Sequence, residues 1–164
     1  MNAPSSVLYV IDNTVLSNFA QIRRPELLQL AVHSQGITTT AVRQELAVGE
    51  TNQTVPQCDW RWLPVVELTE AEQEVARRLL QNLDRGESEC LAVAMARAGK
   101  LAADDRAARQ QAAKRGIPLV GTVGMLKILI DTGQLSLEEA DKYLTAMIAQ
   151  GYHSPIRRFS ELRS

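Results

Sequence analysis

The sequence predicts an α/β domain built on a central parallel sheet, and three observations carry that expectation. Val7-Leu8-Tyr9-Val10-Ile11 is an apolar run rich in β-branched residues that stops at Asp12. Such a run is what a strand covered on both faces needs, as in the middle of a parallel sheet. The last third of the chain alternates short strand-like and helix-like segments, the pattern of parallel βαβ units. A length of 164 residues with 45% apolar content fits one domain with a real core. That domain is expected over 1–164, with its core over about 7–133 and a C-terminal helix and tail over 134–164.

The elements follow in order. After the first strand, Val15 to Ala20 reads as a short helical turn, and Pro25 opens a helix to about His33 with Glu26 in its first turn. Gly36 to Thr39 is a weak strand, and Thr40 is a candidate cap for a helix that sets Val42, Glu45 and Leu46 on one face. Gly49 to Asp59 reads as a loop, and Trp62 to Leu68 as a strand that Pro64 confines to a sheet edge. Thr69 with Glu72 forms a capping box that starts a helix to about Leu83, and Asp84-Arg85-Gly86 breaks it. Glu87 to Ala96 is almost uniformly small and apolar, a buried helix with two acids in its first turn. Lys100 to Ala103 is a strand running into Asp104-Asp105, Arg106 to Arg115 a helix ended by Gly116, and Ile117 to Val120 a further strand. Gly121-Thr122-Val123-Gly124 turns into a helix through Asp131, and a second capping box at Ser136 and Glu139 starts the last one.

Composition narrows the function classes. The formal net charge of −1 gives no strongly basic field, and the scattered arginine pairs read as solvated helix faces. Cys58 and Cys90 have no Cys or His at ligand spacing and are expected to be reduced and structural. No stretch of about 18 uninterrupted apolar residues occurs, and Met1 to Ser6 lacks a signal pattern, so a cytoplasmic location without a membrane partner is expected. The place of a second nucleophile-supporting Asp after Asp12 is taken by Thr14, Val120-Gly121-Thr122 at the end of the last strand holds no Lys, and no phosphate-binding Gly-Lys-Ser/Thr loop is present. Those absences argue against a dehalogenase-like phosphatase, a receiver domain and a nucleotide-binding loop. His33 and His153 lie far apart with no supporting motif for a histidine base.

What remains is acid. Asp12, Glu45, Glu87, Glu89, Asp104 and Asp105 stand at strand ends, in a first helical turn, or on an otherwise apolar helix face. In an open α/β sheet, ligands bind beyond the carboxyl ends of the strands, so parallel strands ending at Asp12 and Asp104 would share one rim. Carboxylates converging there repel one another unless cations lie between them, and Mg²⁺ or Mn²⁺ suits oxygen ligands. Such ions lower the pKa of a bound water and stabilise a leaving oxygen, the chemistry of a phosphodiesterase. Helix capping accounts well for Glu87 and Glu89, moderately for Asp104-Asp105, and poorly for Asp12 with Glu45.

On these residues the sequence resembles the PIN domain family, and within it the VapC-like branch. The resemblance rests on Val10-Ile11-Asp12-Asn13-Thr14-Val15-Leu16, the Glu45 helix, Leu83-Asp84-Arg85-Gly86-Glu87-Ser88-Glu89, Leu101-Ala102-Ala103-Asp104-Asp105-Arg106 and Gly121-Thr122-Val123-Gly124. It implies a three-layer α/β/α fold and a carboxylate pocket for Mg²⁺ or Mn²⁺. It also implies endonuclease action on single-stranded RNA, a toxin role with a small antitoxin protein as partner, and a homodimer. Carried over by position, Asp12, Glu45, Glu87 or Glu89, and Asp104 or Asp105 are the catalytic and metal-holding acids, with Thr14 supporting Asp12. The family usually carries Asp at the third position, so a Glu there reaches one methylene further. Arg109 is placed either to contact phosphate or to pair with the acids, the pairing being favoured. A non-catalytic PIN-fold module that binds RNA or protein is the competing function, and a DNA-directed nuclease a third.

Overall fold

The computed structural model describes residues 6–162, so both ends of the expected 1–164 domain lie outside the described residues. Strand β1 (Tyr9–Ile11) is the middle of a five-stranded sheet. It pairs in parallel with β2 (Gly36–Thr39) on one side and β4 (Lys100–Ala102) on the other. Strands β3 (Val65–Val66) and β5 (Leu119–Val120) extend the sheet to an order of β3-β2-β1-β4-β5, with every pairing parallel. Val10, Ile11, Leu101 and Ala102 are fully buried, which is why these segments read as continuous apolar runs.

Because all strands point the same way, their carboxyl ends fall on one rim, and the chain leaves that rim into a helix after each of the five strands. Asp12 follows β1 into α1 (Asn13–Gln21), and β2 runs directly into α3 (Thr40–Thr51). Asp104 and Asp105 lead from β4 into α6 (Arg106–Lys114), and Gly121 leads from β5 into α7 (Thr122–Asp131). The backbone of the first junction is pinned: the Asp12 N–H donates to the Ala102 carbonyl at 2.9 Å, and the Thr38 hydroxyl donates to the Ile11 carbonyl at 2.7 Å.

Helix α5 (Arg85–Ala96) lies across β1, β2 and β4, flanked by α3, α4 (Glu70–Leu79) and α6. Helices α1, α2 (Pro25–Val32), α7 and α8 (Leu137–Ala149) pack on one another as the other layer, completing a three-layer α/β/α fold. Among the described residues, no helix is long and apolar enough to cross a membrane.

The expected elements are present with shifted ends. Thr39, not Thr40, caps α3, its hydroxyl accepting from the Val42 N–H, and α3 continues through Gly49 to Thr51. The edge strand shrinks to Val65–Val66, where the Pro64 carbonyl accepts from the Thr38 N–H. Helix α4 stops at Leu79 rather than Leu83. Asp84-Arg85-Gly86 does more than break a helix, because Asp84 caps α5 and the helix begins at Arg85.

The α4–α5 packing that orients the acid-bearing start of α5 is fixed at its far end by Arg97 and Glu72. The guanidinium donates to both oxygens of Glu72, at 2.8 and 3.0 Å, and the Glu72 side chain is only 3% exposed. Arg97 beside it holds the Glu72 carboxyl below its ordinary range. A carboxyl so depressed stabilises the fold above its ordinary pKa and loses that contribution as pH falls through the folded value. Replacing Arg97 with Met leaves a buried carboxylate short of donors, so urea unfolding at pH 7 is expected to show a loss of about 1–3 kcal/mol. The gap from wild type should narrow below about pH 4, where the ordinary carboxyl takes up its proton.

Candidate metal centre at the carboxyl rim of the sheet

Asp12 is the centre of the site. It is 2% exposed, and its backbone has the extended conformation of a helix N-cap, yet its side chain makes no capping bond. The capping role that the sequence left open is therefore not what Asp12 does. Its Oδ2 accepts from the Thr14 hydroxyl at 3.2 Å, while Oδ1 is buried without a hydrogen-bond partner. It is the one carboxylate oxygen among the buried, unpartnered side-chain atoms of the described residues. Burial pushes the Asp12 pKa up to about 7, and the nearby charges of Asp84 and Glu45 add to the rise. The Asn13 amide and the Thr14 hydroxyl oppose it.

Glu45 comes from the middle of α3, and its Oε1 accepts from the Gly86 N–H at 3.0 Å. Burial raises its pKa, and the charges of Asp84 and Glu89 raise it further. This contact explains Gly86, since a Cβ at that position would run into the Glu45 carboxylate.

Glu87 and Asp84 form a capping box at the start of α5: the Glu87 N–H donates to Asp84 at 2.8 Å, and the Asp84 N–H donates to Glu87 Oε1 at 3.0 Å. Burial, followed by a hydrogen bond with Asp105, pushes the Glu87 pKa up to about 8. Asp105 is held low by that same bond and by the Ala107 and Ala108 amides it caps. The same contact thus raises the Glu87 carboxyl and lowers that of Asp105. This is how like charges are accommodated at such close range.

The structure separates the two acids that the sequence left as alternatives at each position. Glu87 faces Asp105, whereas Glu89 accepts from the Ala41 N–H at 3.2 Å and stands 3.7 Å from Arg85. Asp105 joins the acid group, whereas Asp104 turns toward α1 and α7. Asp104 accepts from the Thr122 N–H at 2.9 Å, the Thr122 hydroxyl at 2.6 Å, Asn18 at 3.1 Å and the Tyr152 hydroxyl at 3.2 Å. Four donors fill the lone-pair directions of a carboxylate. Arg109 differs from expectation: it donates to the Ala103 carbonyl at 3.0 Å and makes no ion pair with the acids among the described residues. The β4–α6 turn leaves that carbonyl within its reach.

Four contributors escaped the sequence reading. Asp84 carried a legible signal, the Asp-x-x-Glu spacing of a capping box. Asn18, Thr122 and Tyr152 meet Asp104 only through the tertiary fold, across 86, 18 and 48 residues of chain.

A cleft of about 590 Å³ opens beside this group, lined by Asn13, Thr14, Ser17, Asp105, Arg106 and His153 among others. Among the described residues, no three His, Cys, Asp or Glu side chains enclose an ion as they stand, each acid being turned to its own N–H or hydroxyl donors. The donor set nevertheless suits a hard divalent cation. It is all oxygen, it is crowded with like charge, and the Asp12 Oδ1 lacks any other partner.

The raised carboxyls carry a pH signature in the absence of divalent ions. The unfolded chain releases these protons near pH 4, whereas the folded chain holds them to about 7 on Asp12 and about 8 on Glu87. Stability from these groups is therefore complete below about pH 4 and lost as pH rises toward 7 and 8. Metal-free Asp12→Asn should gain on wild type steadily across that range in urea titrations. A stability difference independent of pH would contradict the burial of a strained carboxylate.

A family model described as a PIN domain matches residues 8–164. No curated protein matches the chain. The match runs through every acid described above and coincides with the three-layer parallel-sheet fold, so the chain belongs to the PIN-domain family, whose members are generally nucleases.

Proposed function

We propose that this protein is a Mg²⁺- or Mn²⁺-dependent endoribonuclease that hydrolyses phosphodiester bonds of single-stranded RNA, acting in the cytoplasm as the toxin of a toxin–antitoxin pair. The observation that carries the metal-dependent part is the buried, unpartnered Oδ1 of Asp12 among like charges. An oxygen so placed is costly in an apo fold and is satisfied by a cation. The RNA substrate, the antitoxin partner and a homodimeric state are supported by the motif resemblance to the VapC-like branch.

Asp12, Glu45, Glu87 and Asp105 are the residues proposed to hold the ion, with Asp84 adding negative potential. A bound divalent cation supplies Lewis-acid stabilisation to a phosphodiester and acidifies water. The protein's own residues do the rest. Thr14 fixes Oδ2 of Asp12, and the Gly86 amide fixes the reach of Glu45. Glu87, whose carboxyl burial and Asp105 hold above its ordinary range, would ionise more readily beside a cation, so site assembly is favoured as pH rises. Glu89 and Asp104, engaged by the Ala41 amide and by four donors respectively, serve the scaffold in this reading.

The competing reading, a binding module without catalysis, is favoured by the fact that Glu45, Glu87, Glu89 and Asp105 each already satisfy a backbone N–H. Two measurements separate them. Wild type should cleave single-stranded RNA only with Mg²⁺ or Mn²⁺, and Asp12→Asn should lose about 100-fold or more while keeping its fold, a cost of roughly 3 kcal/mol in the barrier. Saturating Mn²⁺ at about 100 times its Kd should stabilise wild type by about 3 kcal/mol. Asp12→Asn as active as wild type, or no Mn²⁺ effect on stability, favours the binding module. Equal cleavage of single-stranded DNA removes the restriction to RNA. Gly86→Ala, which pushes on the Glu45 carboxylate, should lose at least about tenfold in cleavage, equivalent to about 1.4 kcal/mol, without loss of circular-dichroism signal.

A further inference from the structure

The segment after α8 makes a connection to the acid group that none of the motifs contains. Gly151, at a φ of +113°, turns the chain, and the Tyr152 N–H returns to the Met147 carbonyl at 3.1 Å. Further on, Phe159 is buried and its N–H donates to Asp141 at 2.7 Å, so the segment is tied down on both sides of Tyr152. From there the Tyr152 hydroxyl reaches back across the cleft to Asp104 Oδ1 at 3.2 Å.

Asp104 passes the constraint on. Its carboxylate is clasped by Tyr152, by both donors of Thr122, and by Asn18, which also donates to the Thr122 hydroxyl at 3.1 Å. With its side chain fixed, the Asp104 N–H donates to Thr14 Oγ at 3.0 Å. A hydroxyl has a single proton, and with Asp104 N–H on its lone pair, Thr14 directs that proton to Asp12 Oδ2 at 3.2 Å. The relay thus settles which Asp12 oxygen is occupied and which is left unpartnered.

We propose that Asp104 and Tyr152 are positioning residues for Asp12, acting through Thr14 to hold Oδ2 and present Oδ1. This rests on the reading of Asp12 as the central metal ligand. It makes the C-terminal segment part of the site and gives Asp104 a role without direct contact to the ion.

The test is a double-mutant cycle on Mn²⁺ affinity, read by calorimetry on the full metal-free chain without reference to cleavage. Thr14→Val removes the relay. Thr122→Val and Tyr152→Phe each loosen the Asp104 clasp, the second by removing only the hydroxyl of a half-buried ring and so with the fold least disturbed. Each single change should raise the Mn²⁺ Kd by about 3- to 10-fold, the worth of a net hydrogen bond. In the Thr14→Val background, adding Tyr152→Phe or Thr122→Val should raise it no further, because the path is already cut. Unchanged Kd in Tyr152→Phe and Thr122→Val, or losses that multiply in the double variants, overturn the proposal while leaving the nuclease reading intact. No saturable Mn²⁺ binding by wild type overturns both.

Discussion

The site depends on one carboxylate that the fold buries without satisfying. Asp12 ends the strand at the middle of the sheet, where β2 and β4 close on either side and α5 covers the face. Its backbone N–H is committed to Ala102, and one side-chain oxygen to Thr14. The other has no hydrogen-bond partner among the described residues. A buried unpartnered oxygen on an acid is costly, and the cost appears here as a pKa lifted to about 7. The rest of the rim is arranged around that oxygen.

The neighbouring acids Glu45 and Glu87 bear a burial cost as well, but each acid beside Asp12 is also held by a backbone donor. Glu45 accepts from the amide of Gly86, Glu87 from Asp84, and Asp105 from two amides of α6. Each therefore has a resting place at a helix N-terminus, where a carboxylate is favoured in any case. That lets the fold bring these acidic side chains together at one rim, with the facing pair Glu87 and Asp105 shifted in opposite directions, the first up and the second down. It also makes the site responsive. Raising pH or adding positive charge shifts the same groups in the same direction.

Much of this architecture was legible in the sequence because it rests on local rules. The apolar run ending at Asp12 marks the central strand, Pro64 marks an edge, and the boxes at Thr69–Glu72 and Ser136–Glu139 mark helix starts. The box at Asp84–Glu87 obeys the same rule but lies inside a turn signal, Asp-Arg-Gly, so the start of α5 reads two residues late. Asp12, Glu45 and Glu87 stand out because each breaks a local pattern. Asp104 and Asp105 do not separate on sequence, since only the packing of α1, α7 and the C-terminal segment turns one away from the other. Asn18, Thr122 and Tyr152 are ordinary residues in their own segments, and only their meeting at Asp104 distinguishes them.

An acid rim of this kind could persist as a set of helix caps, or as a cation trap whose central oxygen waits for an ion. Anomalous diffraction from crystals soaked in Mn²⁺ distinguishes the two directly. The account predicts a manganese peak within coordination distance of Asp12 Oδ1, with Glu45, Glu87 or Asp105 turned from its amide toward the ion. Crystals that show no peak at saturating Mn²⁺, with Asp12 still bonded only to Thr14, would contradict it.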